Sequence, residues 1–167
     1  MTVSQQLATS RAGSFALLAL SLALVFAVAA LGGAASTSGL RDWYEGLDKA
    51  PWNPPGWVFG PAWTVLYVLM AVAAWLVART GLDQRAVQLA LVLYLAQLAL
   101  NLGWSLLFFG ARAPGWALLD IVLLCVLVAA TTVAFWRIDT TAGWLLVPYL
   151  GWILFATTLN LWIVLKN

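Results

Sequence analysis

The 167-residue sequence has no histidine, a single cysteine and few charges. Each shortage removes a class of function. Without an imidazole there is no Ser-His-Asp triad and no histidine acid–base pair. With one cysteine besides, the ordinary ligand sets for structural zinc or a His-ligated haem are missing, and no metal site is expected. One cysteine also forbids an internal disulfide. Cys125 lies within an apolar run, where a thiol packs rather than reacts. Charged residues make up 8% of the chain, against about 25% in soluble domains. That is too few to coat a surface facing water, so lipid is the solvent the composition suits. A formal net charge of +2 and the lack of a basic run leave nothing to attract nucleic acid.

The chain is instead rich in apolar residues, 64% of it, including 11 tryptophans. Five apolar stretches, at about 13–35, 59–79, 86–109, 114–136 and 142–165, each approach the roughly 20 residues that cross a bilayer as a helix. Charges fall between them, at Arg41 to Lys49, Arg79 to Arg85, Arg112, and Arg137 with Asp139. None of the stretches alternates as a transmembrane β-barrel strand does. The expected fold is all-α: one transmembrane domain of five helices over 13–167, preceded by a flexible tail at 1–12. The first stretch has Arg11 before it and small residues after it, like a secretory signal, but its apolar region is longer than the usual signal core. Short links predict antiparallel neighbours in an up-down bundle, with the termini on opposite sides. Arg11, Arg79, Arg85 and Arg137 fall on one side; Arg41, Lys49, Arg112 and Lys166 fall on the other. Charge therefore does not orient the chain.

The connection 36–58 is the long one. It holds Trp43, Tyr44, Trp52 and Trp57, with Pro51, Pro54 and Pro55 inside it and Pro61 just beyond. Proline stiffens such a segment. It reads either as a lid over the bundle mouth, with Trp52, Pro54 and Pro55 at its centre, or as an interfacial aromatic belt.

Polar groups inside the spans are the informative ones, because lipid offers them no partner. Gln97, Asn101, Trp104 and Phe108 share one face of the third helix at steps of four, three and four. Trp116 and Asp120 share a face of the fourth. Tyr149, Trp152, Ala156 and Asn160 share a face of the fifth, and Trp63, Tyr67 and Met70 one of the second. Stripes that converge would line an aromatic cavity for a flat, largely apolar ligand. Alternatively, the polar residues only hold helices together by hydrogen bonds. Trp63, Trp104 and Trp152 lie deeper than the other tryptophans and are the first candidates for ligand contact. Pro148 is expected to free the Trp144 carbonyl and bend the fifth helix. Ala99 and Gly103 form a small-xxx-small pair that could seat a second copy.

These residues resemble the TspO/MBR family, the tryptophan-rich sensory proteins and mitochondrial translocator (peripheral benzodiazepine receptor) proteins. The resemblance rests on an ordered series. Trp43-Tyr44 and Trp52-Asn53-Pro54-Pro55 lead to Trp63 with Leu66-Tyr67. Gln97-Leu98-Ala99-Leu100-Asn101 with Trp104 is followed by Phe108-Phe109-Gly110-Ala111-Arg112, Gly115-Trp116-Ala117-Leu118 and Asp120. Pro148-Tyr149-Leu150 with Trp152 and Phe155-Ala156-Thr157-Thr158-Leu159-Asn160 close it.

The resemblance implies a five-helix membrane receptor or sensor, often a homodimer, with its pocket under the first loop. It implies porphyrins such as protoporphyrin IX or haem, related tetrapyrroles, and isoquinoline or benzodiazepine-type compounds as ligands, with no cofactor required. Transport or stress regulation would follow from such binding. The matching binding positions are Tyr44, Trp63, Asn101, Trp104, Trp116, Asp120, Trp152, Ala156 and Leu159, to which the third-helix stripe adds Phe108 and the closing run of the series adds Phe155. For some bacterial members it also implies light- and oxygen-dependent breakdown of protoporphyrin, for which Trp63 and Trp152 would be the residues. A non-enzyme is the first expectation and that photochemistry the alternative; a structural membrane protein without a ligand is the third. The sterol-recognition segment of animal members ends the fifth helix as L/V-x-Y-x-K/R, but Leu161 stands here in place of the tyrosine, which counts against sterol binding there. A bacterial membrane, inner or outer, is the expected location, and the mitochondrial outer membrane in a eukaryote.

Overall fold

The computed structural model describes residues 10–37 and 41–167, leaving out the side chains of residues 37, 41 and 42. Most of the expected tail, 1–9, and residues 38–40 of the long connection lie outside the described residues. Five helices are long and apolar enough to cross a membrane: α1 (Arg11–Thr37), α3 (Phe59–Ala78), α4 (Arg85–Ser105), α5 (Pro114–Ile138) and α6 (Thr140–Lys166). A short α2 (Arg41–Glu45) and a 3-10 turn (Gly56–Val58) punctuate the long connection, which sequence alone left without helix. The chain is a multi-pass α-helical membrane protein.

Local chemistry sets the ends of these helices. The Asp139 side chain accepts the Ala142 N–H at 2.9 Å and caps α6. This satisfies one of the donors that the first helical turn leaves free. Pro114 begins α5, where its missing N–H costs nothing. Arg137 and Lys166 occupy the last turns of α5 and α6, the negative ends of those helix dipoles. The last turn after α4 widens into a π-helical segment, Leu106–Gly110. Arg112 then takes a left-handed φ of 52° to turn the chain into α5. The tight α3–α4 turn places Gly81 at φ 139°, a conformation a side chain would strain.

The helices form a closed ring in the order α1, α3, α6, α5, α4, with α1 and α4 meeting again. The ring interior holds Met70, Ala71, Ala74 and Val77 of α3, Tyr94 and Leu98 of α4, Ile121, Leu124 and Val128 of α5, and Leu146, Tyr149 and Ile153 of α6. Leucines, valines and phenylalanines on the outer faces, such as Phe15, Val92, Val126 and Leu154, are exposed. That inversion of soluble packing is what hydrocarbon solvent permits. The long connection lies at the mouth where α6 ends: Asn167 accepts the Asp48 N–H at 2.9 Å and donates to the Asp48 carbonyl at 3.3 Å.

Small residues let helices approach. Gly143 on α6 faces Trp136 on α5 so closely that an added Cβ would fall 2.5 Å from the Trp136 Cγ. Gly151, two turns on, has open space beside it. Gly143→Ala is therefore expected to lose about 1–3 kcal/mol through overpacking, while Gly151→Ala is neutral or gains about 0.5–1 kcal/mol of helix propensity. Unfolding of the two variants in detergent, followed by circular dichroism, checks this; equal stabilities would show that the Gly143–Trp136 contact does not set the α5–α6 spacing.

Candidate functional site

The stripes of α3, α4 and α6 do converge, on the half of the bundle nearest the long connection. Trp63 stacks on Tyr67 one turn along α3, with ring centroids 5.4 Å apart. It also meets Tyr149 at 6.2 Å and Trp152 at 6.3 Å, both edge-on from α6. Phe59 and Phe155 each flank Trp152 at 5.8 Å. Edge-to-face packing is the favoured arrangement of aromatic quadrupoles, and the rings form a continuous wall.

Asn101 ties this wall together. It accepts the Tyr67 hydroxyl at 2.7 Å and donates its amide to the Tyr149 hydroxyl at 3.2 Å. One buried amide thus links α4 to α3 and α6. In hydrocarbon each of these groups would otherwise be unsatisfied. Gln97, one turn below, is 1% exposed, and neither atom of its amide has a partner among the described residues.

A second layer lies nearer the mouth. Trp104 donates to Asn160 Oδ1 at 3.0 Å, and Asn160 donates to the Pro114 carbonyl at 2.9 Å. Asn160 therefore serves α4, α6 and the start of α5 together. Trp104 stacks on Phe108 at 5.1 Å, and Trp43 and Tyr44 from the connection meet Phe108 at 5.8 and 6.2 Å. Tyr44 donates to Asn53 at 3.3 Å, and burial raises its phenol above the usual range. Trp52 donates to Thr158 at 3.3 Å and packs edge-on against Trp162 at 5.2 Å. Pro54 is half-buried and Pro55 exposed. The connection is thus held across the mouth by α6 and by the end of α4.

The remaining candidates separate. Ala156 and Leu159 lie on the inner side of α6, Ala156 packed against the core and Leu159 buried. Asp120 faces α4, its Oδ1 3.1 Å from where a Cβ on Gly103 would stand, and its buried Oδ2 has no partner among the described residues. Gly103 is thereby turned toward α5, while Ala99 of the small-xxx-small pair is exposed. Trp116 does not join the stripe: it is 68% exposed. The inner face of α5 is carried by Ala117, Ile121, Leu124 and Val128, so residue 116 projects from the bundle near the mouth, where an indole suits the membrane interface.

Where the sequence suggested an open cavity between stripes, aromatic rings meet one another. Open space of about 660 Å³ lies instead on the outer side of the α3–α6 seam, lined by Trp57, Val58, Pro61, Ala62, Val65, Leu66, Pro148, Gly151, Trp152 and Phe155. Trp152 belongs to both the interior wall and this groove. Tyr67, Tyr149 and Phe59 complete the wall but were not among the sequence candidates. Tyr67 and Tyr149 were on the stripes, at i+4 from Trp63 and i−3 from Trp152, and helical spacing alone could have added them.

Fold and site define a class: a five-span membrane bundle with a tryptophan- and tyrosine-lined interior closed by an aromatic, proline-braced connection. The TspO/MBR family pattern matches residues 21–165. The chain is 50% identical over 124 residues to the translocator protein of Homo sapiens, covering 73% of this chain and 72% of that one. It is 43% identical over 150 residues to the tryptophan-rich protein TspO of Chlorobaculum tepidum, covering 90% and 95%. It is 47% identical over 137 residues to the tryptophan-rich sensory protein of Cereibacter sphaeroides, covering 80% and 84%. This chain belongs to the TspO/MBR family.

The Asn101 bridge carries a direct prediction. Asn101→Leu leaves two buried phenols without partners and should cost about 1–3 kcal/mol. Replacing Tyr67 and Tyr149 by Phe in the same chain should recover most of that loss, since no polar group is then stranded. Thermal unfolding of the single and triple variants is the measurement; a triple variant less stable than Asn101→Leu would refute the bridge.

Proposed function

We propose that this protein is a membrane receptor or sensor that binds porphyrins and related tetrapyrroles, protoporphyrin IX being the probe of choice, against the Trp63–Tyr67–Tyr149–Trp152 wall beneath the long connection. The observation that supports it most is the wall itself: four aromatic rings from two helices, oriented by one buried amide, with a single small residue, Ala156, one turn beyond Trp152. Flat apolar ligands bind to preformed aromatic surfaces with few, well-placed hydrogen-bonding groups. Here those groups are the Asn101 amide, the two phenols and the indole N–H groups of Trp63 and Trp152. The names carried by relatives, translocator and sensory protein, agree with a binding role.

Binding rather than turnover is the assignment. The chain has no histidine to act as general base or to activate a nucleophile. The ligand would need no cofactor. It would be held by ring contact beneath the connection, and Tyr44, Trp104 and Phe108 would form the side of the site nearest the mouth.

Titrating protoporphyrin IX into the protein in lipid nanodiscs, read by the porphyrin's own absorption, tests this. Saturable binding is expected, with affinity about tenfold weaker in the Trp63→Ala, Trp152→Ala double variant, roughly the 1.4 kcal/mol that losing two ring contacts should remove. Non-saturable uptake, or an unchanged affinity in the folded double variant, would overturn the reading.

A further inference from the structure

A groove lies outside the α3–α6 seam. Its floor is made by a local gap in α6. Gly151 has no side chain, and apart from its chain neighbours and the backbone of its own helix no described heavy atom lies within 4 Å of where its Cβ would be. Pro148, one turn earlier on the same face, is exposed and presents only a ring. The walls are Trp57 and Val65, 76% and 57% exposed, on one side and Phe155 on the other. The groove is open to the bilayer side and holds about 660 Å³.

Trp152 is the residue that this groove shares with the interior wall. Its ring lines the groove and also lies 6.3 Å from Trp63. Three tryptophans are anchored by polar contacts, and Trp152 is not one of them. Trp104, Trp52 and Trp75 each donate their indole N–H to a partner. The Trp152 indole makes no hydrogen bond among the described residues and is held by ring packing alone. A ring held only by packing can change rotamer without breaking a polar contact, and in hydrocarbon a broken polar contact is the costly event.

We propose that this groove is a lateral port: a flat apolar ligand of the tetrapyrrole class, dissolved in the bilayer, docks between α3 and α6 and passes to the interior wall by displacing the Trp152 ring. The occupant follows from the lining. Three aromatic residues, Trp57, Trp152 and Phe155, line the groove, and aromatic rings match a flat ligand better than an acyl chain. Entry from the side also spares the connection held across the mouth from opening. The inference rests on the binding reading above and adds a route to it.

Filling the floor separates the two. Gly151→Phe places a ring in open space, and Val65→Trp narrows the groove from α3; Leu119→Phe adds a ring on the exposed face of α5 as control. Each variant, checked for folding by circular dichroism, is reconstituted in vesicles and mixed with vesicles preloaded with protoporphyrin IX, and the approach to bound porphyrin is followed in time. Gly151→Phe and Val65→Trp are expected to slow association about tenfold, as a barrier raised by one overpacked ring would, with equilibrium affinity nearly unchanged; Leu119→Phe should bind as fast as the parent chain. Unaltered association in both groove variants would overturn the port while leaving the binding reading intact, and would assign the groove to acyl chains. Loss of equilibrium affinity in step with rate would also overturn it, because the groove would then be the binding site and not its approach. A parent chain that does not bind would overturn both.

Discussion

Asn101 accepts a hydrogen bond from Tyr67 and donates one to Tyr149 in the middle of the bundle, where three helices meet. The amide could not stand there alone, since a bilayer interior offers it nothing. Nor could either phenol. Each satisfies the others, and the arrangement fixes the rotation of α3, α4 and α6 about their axes. Once α3 and α6 are set this way, Trp63 and Trp152 must face each other, because they lie one turn from Tyr67 and Tyr149 on the same faces. The aromatic wall is therefore a consequence of a polar contact, although almost nothing else in it is polar.

The second polar junction, at Asn160, works at the mouth as Asn101 works at depth. Trp104 and the Pro114 carbonyl both bind its side chain. The π-helical widening after α4 brings Phe108 and Phe109 beneath Trp43 and Tyr44. The connection is thus seated on aromatic rings from α4 and fastened to α6 through Trp52 and Asn167. Lipid replaces water on the outside of the ring of helices. Specificity of packing therefore comes from small residues such as Gly143 and from these few hydrogen bonds, with apolar burial common to every helix pair.

Much of this was legible in the sequence because the constraints are local. Helix number and approximate ends follow from apolar length and from where charges interrupt it; Arg112 and the Arg137–Asp139 pair mark turns that the structure places within one or two residues. The shared faces of Trp63 with Tyr67, and of Tyr149 with Trp152, follow from 3.6-residue periodicity. What depends on how helices rotate against one another was not legible. Trp116 shares a nominal face with Asp120, yet it projects outward because Ala117 and Ile121 take the inner face of α5. The short α2 and the π-helical turn were hidden for a similar reason: contacts from other segments, not the apolar pattern of their own residues, select them. The outer groove left the weakest trace, since it is defined by the side chain Gly151 lacks. The ordered family series singled out the residues at the helix junctions more sharply than periodicity did, and the geometry supplies a physical reason for much of that series: Trp63, Asn101, Trp104 and Trp152 are residues whose contacts join α3, α4 and α6.

The central claim is that a flat ligand meets the inner wall organised by Asn101. The most direct test is to irradiate a bound photoreactive porphyrin derivative in bilayers and to identify the labelled residues by mass spectrometry. The account predicts labels on Trp63 and Tyr67 of α3 and on Tyr149, Trp152 and Ala156 of α6, competed away by unmodified protoporphyrin IX. Labelling confined to Trp116 and the other outward faces, or indifferent to the competitor, would contradict it.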